Sequence, residues 1–244
     1  MTAALVHGVA AATDRFELSG ARCVTHGELA AIVTDADPSA LRAASAIRQH
    51  WRVLEEAAGS ATVLPVRFGT VMADDHAVVD ELLAPRHDEL VSRLAGLAGK
   101  VQITVKGEFD EERLMRAVVD ASPAVARLRE RVRGVPEAAA YYDRIRLGQL
   151  IAEAVEDARE RCTARVFERL QPLAAAVSRE RTSSVHSAVN AAFLVAHDSE
   201  PGFRAAADEL QREFGEAVQL RCVGPLPPYS FSDIGSEPRA ASWA

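Results

Sequence analysis

The residues able to do chemistry are few, and their spacing is wrong for the common reactions. Cys23 and His26 lie three apart, Asp74, Asp75 and His76 are consecutive, and the seven histidines are scattered along the chain. A metal centre needs several N, O or S donors brought together by spacing such as a CxxC pair or an HExxH helix, and neither occurs. Capping and surface roles are therefore expected of the histidines. Neither Lys100 nor Lys106 is followed by Ser or Thr, and no GxxxxGK precedes them, which excludes a Walker A phosphate loop. There is no GxGxxG after a strand and no GxSxG elbow. We assign no catalytic residue, no cofactor-binding residue and no metal ligand from the sequence.

Two segments do stand out. In PVRFGT (Pro65 to Thr70), Arg67 and Phe68 leave an apolar strand and Gly69 permits a sharp turn before a capped helix. Arg67 either pairs inside the fold, the reading we favour, or presents its planar fork to a partner. In GPLPPYSF (Gly224 to Phe231), Pro225, Pro227 and Pro228 hold the chain extended, and Tyr229 and Phe231 fall on one side if the stretch is strand-like. Such a stiff segment loses little entropy on docking. We expect it to pack on its own protein, with a partner as the alternative. Pro65, Arg67, Phe68, Gly69, Gly224, Pro225, Pro227, Pro228, Tyr229 and Phe231 are the candidate structural or partner-binding residues.

The elements that must position these segments can be read from periodicity. Ala3 to Val9 and Leu29 to Thr34 predict buried strands, separated by a polar stretch with a turn at Ser19-Gly20. Asp37-Pro38 opens a helix that ends near Gly59, with Leu41, Ala44, Ile47, Trp51 and Leu54 at helical spacing. Pro65 confines Thr62 to Phe68 to a sheet edge. Asp74 and Asp75 cap a helix kinked at Pro85 and closed at Gly96 or Gly99. Val101, Ile103 and Val105 alternate with Gln102, Thr104 and Lys106, the pattern of a strand covered on one face.

Short helices start at Asp110 and at Ser122-Pro123, and Gly134 to Pro136 interrupts the chain. From Glu137 to Leu170 apolar residues recur by threes and fours, which predicts one long helix. Its stripe, Tyr141, Ile145, Gly148, Ile151, Val155, Ala158, Cys162, Val166 and Leu170, is expected to pack within the chain, although a coiled-coil partner would use the same stripe. Ala191 to Ala196 predicts a central strand, Glu200-Pro201 opens a helix, and Val218 to Val223 forms the last strand. From Val101 onward the elements follow a β-α-β-β-α-β order. The expected domains are 1–107 and 108–235, with 236–244 as a mobile tail.

Composition narrows the class. The 244 residues are 48% hydrophobic but only 5% aromatic, so Ala, Leu and Val carry the core and helix is favoured. A net charge of −7 is the wrong sign for a protein that neutralises phosphates over a broad face, so nucleic acid is not an expected partner. Three unpaired cysteines, Cys23, Cys162 and Cys222, fit a reducing compartment. No stretch approaches the ~18 apolar residues of a membrane span, and the N-terminus lacks a signal-peptide layout, so a soluble cytoplasmic protein is expected.

Together, LPVRFGTV (Leu64 to Val71), GKVQITVKGEFD (Gly99 to Asp110), YYDRIRLGQLI (Tyr141 to Ile151), NAAFLV (Asn190 to Val195) and GPLPPYSF resemble the gas vesicle protein GvpF/GvpL family in order and spacing. Two departures are visible: Gln102 stands where the family commonly has glutamate, and Leu226 where it has tryptophan. The resemblance implies an α+β fold in two domains, a ferredoxin-like N-terminal domain and a second α+β domain with a long helix. It also implies a non-catalytic, cofactor-free role in gas vesicle organisation, as a minor vesicle component. In that role the protein binds the hydrophobic shell protein GvpA, with other gas vesicle proteins as further partners, and limits its aggregation during nucleation. The alternative is a cytoplasmic enzyme or small-ligand sensor using a ferredoxin-like cleft, for which a buried carboxylate pair with shifted pKa values would speak.

Overall fold

The computed structural model describes residues 2–14, 18–36, 42–181, 184 and 186–232. The start of the first helix at Asp37-Pro38 and the expected tail at 236–244 lie outside the described residues. The fold is α+β, with two antiparallel sheets and one long helix.

The chain divides into two compact units: Met1–Ile103 with Leu194–His197 and the segment from Gly224 on, and Thr104–Phe193 with Asp198–Val223. A single cut after residue 107 therefore does not describe them. Three strands change unit partway along, and GPLPPYSF groups with the first unit rather than the second.

The first unit is built on β1 (Ala4–Ala11), β2 (Arg22–His26), β3 (Leu29–Asp35), β4 (Leu64–Pro65) and β5 (Val71–Met72), in the order β2-β3-β1-β4 with β5 also on β1. β3 is buried from Leu29 to Thr34, as a strand covered on both faces must be. Helix α1 (Ala44–Ala58) supplies one layer, setting Val53, Leu54 and Ala57 against Ala10, Ile32 and Val63. β2 is not anticipated by the sequence pattern because only Val24 of its five residues is buried, too little for an alternating signal. Gly27, at φ +56°, makes the turn from β2 into β3.

The expected helix from Asp74 is broken more thoroughly than a kink. Asp74 caps a single turn, α2 (Asp75–Ala77), by accepting the Ala77 N–H at 2.9 Å. The turn then widens into π-helix over Val78–Leu83, and Pro85 precedes a fresh helix, α3 (His87–Leu97). Val78, Leu82, Leu83, Leu90, Leu94 and Leu97 are buried on this side. Arg22 on β2 holds Asp75 through two hydrogen bonds and Asp35 through a third, fastening the edge strand.

The second sheet has the order β7-β8-β6-β9, from β6 (Lys100–Phe109), β7 (Ala176–Arg179), β8 (Ser187–Ala196) and β9 (Val218–Leu226). Relabelled from its first strand, this is the same permutation as the first sheet: the first strand lies between the third and the fourth. The helices between β6 and β7 are α4 (Glu111–Ala121), α5 (Pro123–Val132) and α6 (Tyr141–Leu170), with α7 (Glu200–Phe214) between β8 and β9. Asp110 and Ser122 cap α4 and α5 as their positions predict. β6 departs from the expected one-sided strand, since Gln102 and Thr104 are buried along with Ile103 and Val105.

Gly107 on β6 shows how tightly the second unit packs. A Cβ there would lie 2.7 Å from Val189 Cγ1 and 2.9 Å from Leu220 Cδ2, and the stiff valine cannot turn aside. Gly107→Ala is expected to lower stability by about 1–3 kcal/mol through overpacking. Urea denaturation of the two proteins checks this, and a midpoint equal to the parent's would mean that the neighbours move aside freely.

Candidate functional site

The two segments singled out in the sequence meet inside the first unit. Past Pro65 the chain stays fastened to β1, with the Val66 N–H donating to the His7 carbonyl and the Val6 N–H to the Thr70 carbonyl, both at 2.9 Å, and between these two points it loops out through Gly69 at φ +87°. The turn is closed by Thr70, whose N–H and hydroxyl both donate to the Arg67 carbonyl, at 3.2 and 2.8 Å. The Phe68 N–H then donates to the Tyr229 hydroxyl at 3.0 Å, across a sequence separation of 161 residues. Pro65 is buried, Phe68 half-buried and Gly69 exposed.

Arg67 does not take the internal role that the sequence favours. Its side chain is exposed and makes no hydrogen bond or ion pair among the described residues. It stands in the short loop between the Val66 and Thr70 attachments to β1, which carries it toward solvent.

GPLPPYSF is held by several fastenings. Gly224 adopts φ +145°, and a Cβ there would sit 2.7 Å from the Gln102 carbonyl oxygen, so only glycine passes this point. The Gly224–Pro225 bond is cis, Pro225 is exposed, and Pro227 and Pro228 are buried. Tyr229 and Phe231, both half-buried, do not share a strand face. Tyr229–Phe231 is a 3₁₀ turn in which the Phe231 N–H donates to the Pro228 carbonyl, so the extended geometry ends with the prolines. The Tyr229 ring lies 5.1 Å from Trp51, and the Ser230 N–H donates to the buried Gln102 side chain at 2.9 Å. Glutamine at 102 places a neutral acceptor where a buried carboxylate would cost more.

A buried histidine pair beneath this lock escapes sequence reasoning altogether. The register of β1 against β3 slips between Val6 and Gly8, which makes His7 the extra residue of a β-bulge. Its ring reaches His50 on α1, Nδ1 to Nδ1 at 3.0 Å, and Thr34 on β3, Nε2 to Oγ1 at 2.9 Å. Both histidines are at most 1% exposed. Phe68, Trp51 and Tyr229 stand edge-on around the His50 ring, and its Nε2 has no hydrogen-bond partner among the described residues. Burial pushes both imidazoles down to about 4, with the His50 charge adding to the effect on His7. The Nδ1–Nδ1 contact holds one proton between two neutral rings, and with the Thr34 hydroxyl, itself buried, it forms a polar chain across α1, β1 and β3 that is closed off from solvent. The only sequence signal is a polar residue at the centre of an apolar strand.

The remaining site chemistry is sparse. Among the described residues no three His, Cys, Asp or Glu side chains converge as metal ligands. The carboxyls whose pKa values shift, Asp75, Glu89 and Glu213, are all held low by arginine partners rather than raised by burial. Beside the proline run, Ala58, Val63, Val101, Leu226, Pro227 and Pro228 line a shallow, largely apolar groove of about 200 Å³.

Two outcomes follow for stability. The folded-state pKa values near 4 lie below the ordinary 6.5, so the unfolded chain binds protons first as the pH falls. The stabilisation is complete above pH 6.5 and is lost through the window down to about 4, by about 3 kcal/mol for one histidine. Denaturation midpoints measured across that window should fall with pH, less steeply in His50→Phe, and a flat parental profile would refute the reading. Separately, Tyr229→Phe removes the acceptor of the Phe68 N–H and should cost about 1–2 kcal/mol in the same assay at neutral pH.

Comparison with known proteins agrees with the resemblance in the motifs. The family described as gas vesicle synthesis protein GvpL/GvpF matches residues 9–233. Gas vesicle protein F of a Streptomyces species is 36% identical over 210 residues, covering 86% of this chain and 87% of that protein. Gas vesicle protein F of a Nostoc species is 30% identical over 187 residues, covering 76% of each. The crystal structure of GvpF from an Anabaena species superposes with a TM-score of 0.80 at 24% identity, over 97% of this chain and all of that one, a likeness of fold. With the family matched across nearly the whole chain and relatives of this identity and coverage, the chain belongs to the GvpL/GvpF family of gas vesicle proteins.

Proposed function

We propose that this protein is a gas vesicle assembly factor, present in the cytoplasm and on the vesicle, that binds the shell protein GvpA and limits its aggregation during nucleation without catalysing a reaction. Family membership carries the reading. The site supports it with a rigid apolar groove beside Leu226, Pro227 and Pro228, and with an exposed guanidinium at Arg67 that is unpaired among the described residues. An aggregation-prone partner is kept in solution when a preformed apolar surface covers its own, and a groove stiffened by proline loses little entropy in doing so. The histidine pair and the Tyr229 lock belong to the scaffold in this account, because the histidines are closed off from solvent and Tyr229 ties the residue after Pro228 to the turn at Phe68.

Co-expression with GvpA followed by affinity capture tests the reading. The parent should recover soluble GvpA, and failure under conditions that recover an established pair would reject it. Arg67→Ala should melt within about 0.5 kcal/mol of the parent, as exposed substitutions do. It should nonetheless recover less GvpA, as should Leu226→Glu, which puts a charge in the groove. Undiminished recovery by both variants would move the binding surface elsewhere.

A further inference from the structure

Helix α6 is longer than its own packing requires. Of its 30 residues only Cys162, Thr163, Val166 and Leu170 are buried, all in the C-terminal third. Over the first two thirds, Asp143, Leu147, Leu150 and Ala154 form a half-buried side, and Asp143 is ion-paired with Arg131 of the neighbouring α5. The opposite side, 180° around at 3.6 residues per turn, carries Tyr142, Ile145, Gln149 and Ala152, all exposed. Tyr142 is 83% exposed, Tyr141 56% and Ile145 44%. Beside them a Cβ on Gly148 would meet nothing within 4 Å. The sequence pattern assigns Tyr141, Ile145 and Gly148 to internal packing, and the structure leaves all three outside it.

The charges along this stripe are self-complementary. Arg146 has no carboxylate partner among the described residues, only a 3.4 Å hydrogen bond to Gln149 on its own helix. Glu153 has no hydrogen bond or ion pair among the described residues. The two stand seven residues apart on the same flank, about 10 Å along the axis, too far to reach each other. A second helix running antiparallel, centred between Gln149 and Leu150, sets each Arg146 beside the other copy's Glu153. In the same register the bulky Ile145 of one copy comes within about 3 Å along the axis of the small Ala152 of the other. A parallel pair in register would instead oppose like charges.

We propose that this stripe is a self-association surface on which a second copy of the chain packs its α6 antiparallel, with Arg146 of each copy beside Glu153 of the other. The contact is isologous, so one patch serves both chains and the pairing closes. Exposed tyrosines with flanking arginine are the residue types that anchor protein interfaces. Four helical turns bury little area, which places the dimer in the weak, concentration-dependent class.

Sedimentation velocity of the full-length protein over a concentration series tests this. The parent should move from monomer toward dimer as concentration rises. Arg146→Glu and Glu153→Arg should each weaken association about tenfold, because each sets like charges against each other across the dyad. An equimolar mixture of the two variants should recover the dimer, since the doubly acidic flank of one then faces the doubly basic flank of the other. A parent that stays monomeric throughout, variants that associate like the parent, or a mixture that fails to recover would each overturn the proposal.

Discussion

The hydrogen bond from the Phe68 amide to the Tyr229 hydroxyl is the contact on which the first unit depends. It brings the proline-rich segment back to the turn that follows β4, and with it the Tyr229 ring that joins Phe68 over His50. Without that lid, water reaches the His50 ring, and the reason for its neutral state is gone. The buried histidine pair, the bulge in β1 and the proline-rich segment are thus one arrangement. The pair fixes α1 against β1 and β3, and the segment keeps the pair dry.

Much of the fold is legible in the sequence. Capping residues announce α4 and α5, proline marks the end of β4, and continuous apolar runs mark the strands covered on both faces. The failures have physical causes. β2 has one buried residue and so carries no pattern. The π-helical stretch arises from local widening of a helix whose side-chain spacing still reads as helical. Gln102 and Thr104 read as a solvent face, yet they are buried as hydrogen-bonding groups, which periodicity cannot distinguish from exposed ones.

The candidate site divides the same way. Glycine and proline betray special backbone positions, so PVRFGT and GPLPPYSF stand out by residue type alone. That they touch is a tertiary fact with no local trace. Arg67 illustrates the limit, because an arginine at a strand end reads equally well as an internal partner or an external one. The histidines illustrate it further: His7 and His50 become a pair only through a one-residue slip in strand register, and nothing in their spacing records that slip.

The return of Gly224 and its successors to the first unit also sets an order of events on the ribosome. Trp51 and Phe68 are synthesised long before Tyr229, and at ~5–20 residues per second the intervening chain takes roughly 10 s or more to appear. During that interval the early sheet has its strands but not the ring and prolines that finish its core. The first unit is therefore completed only once this segment has emerged, and a nascent chain stalled before residue 224 presents an apolar surface that the finished protein hides.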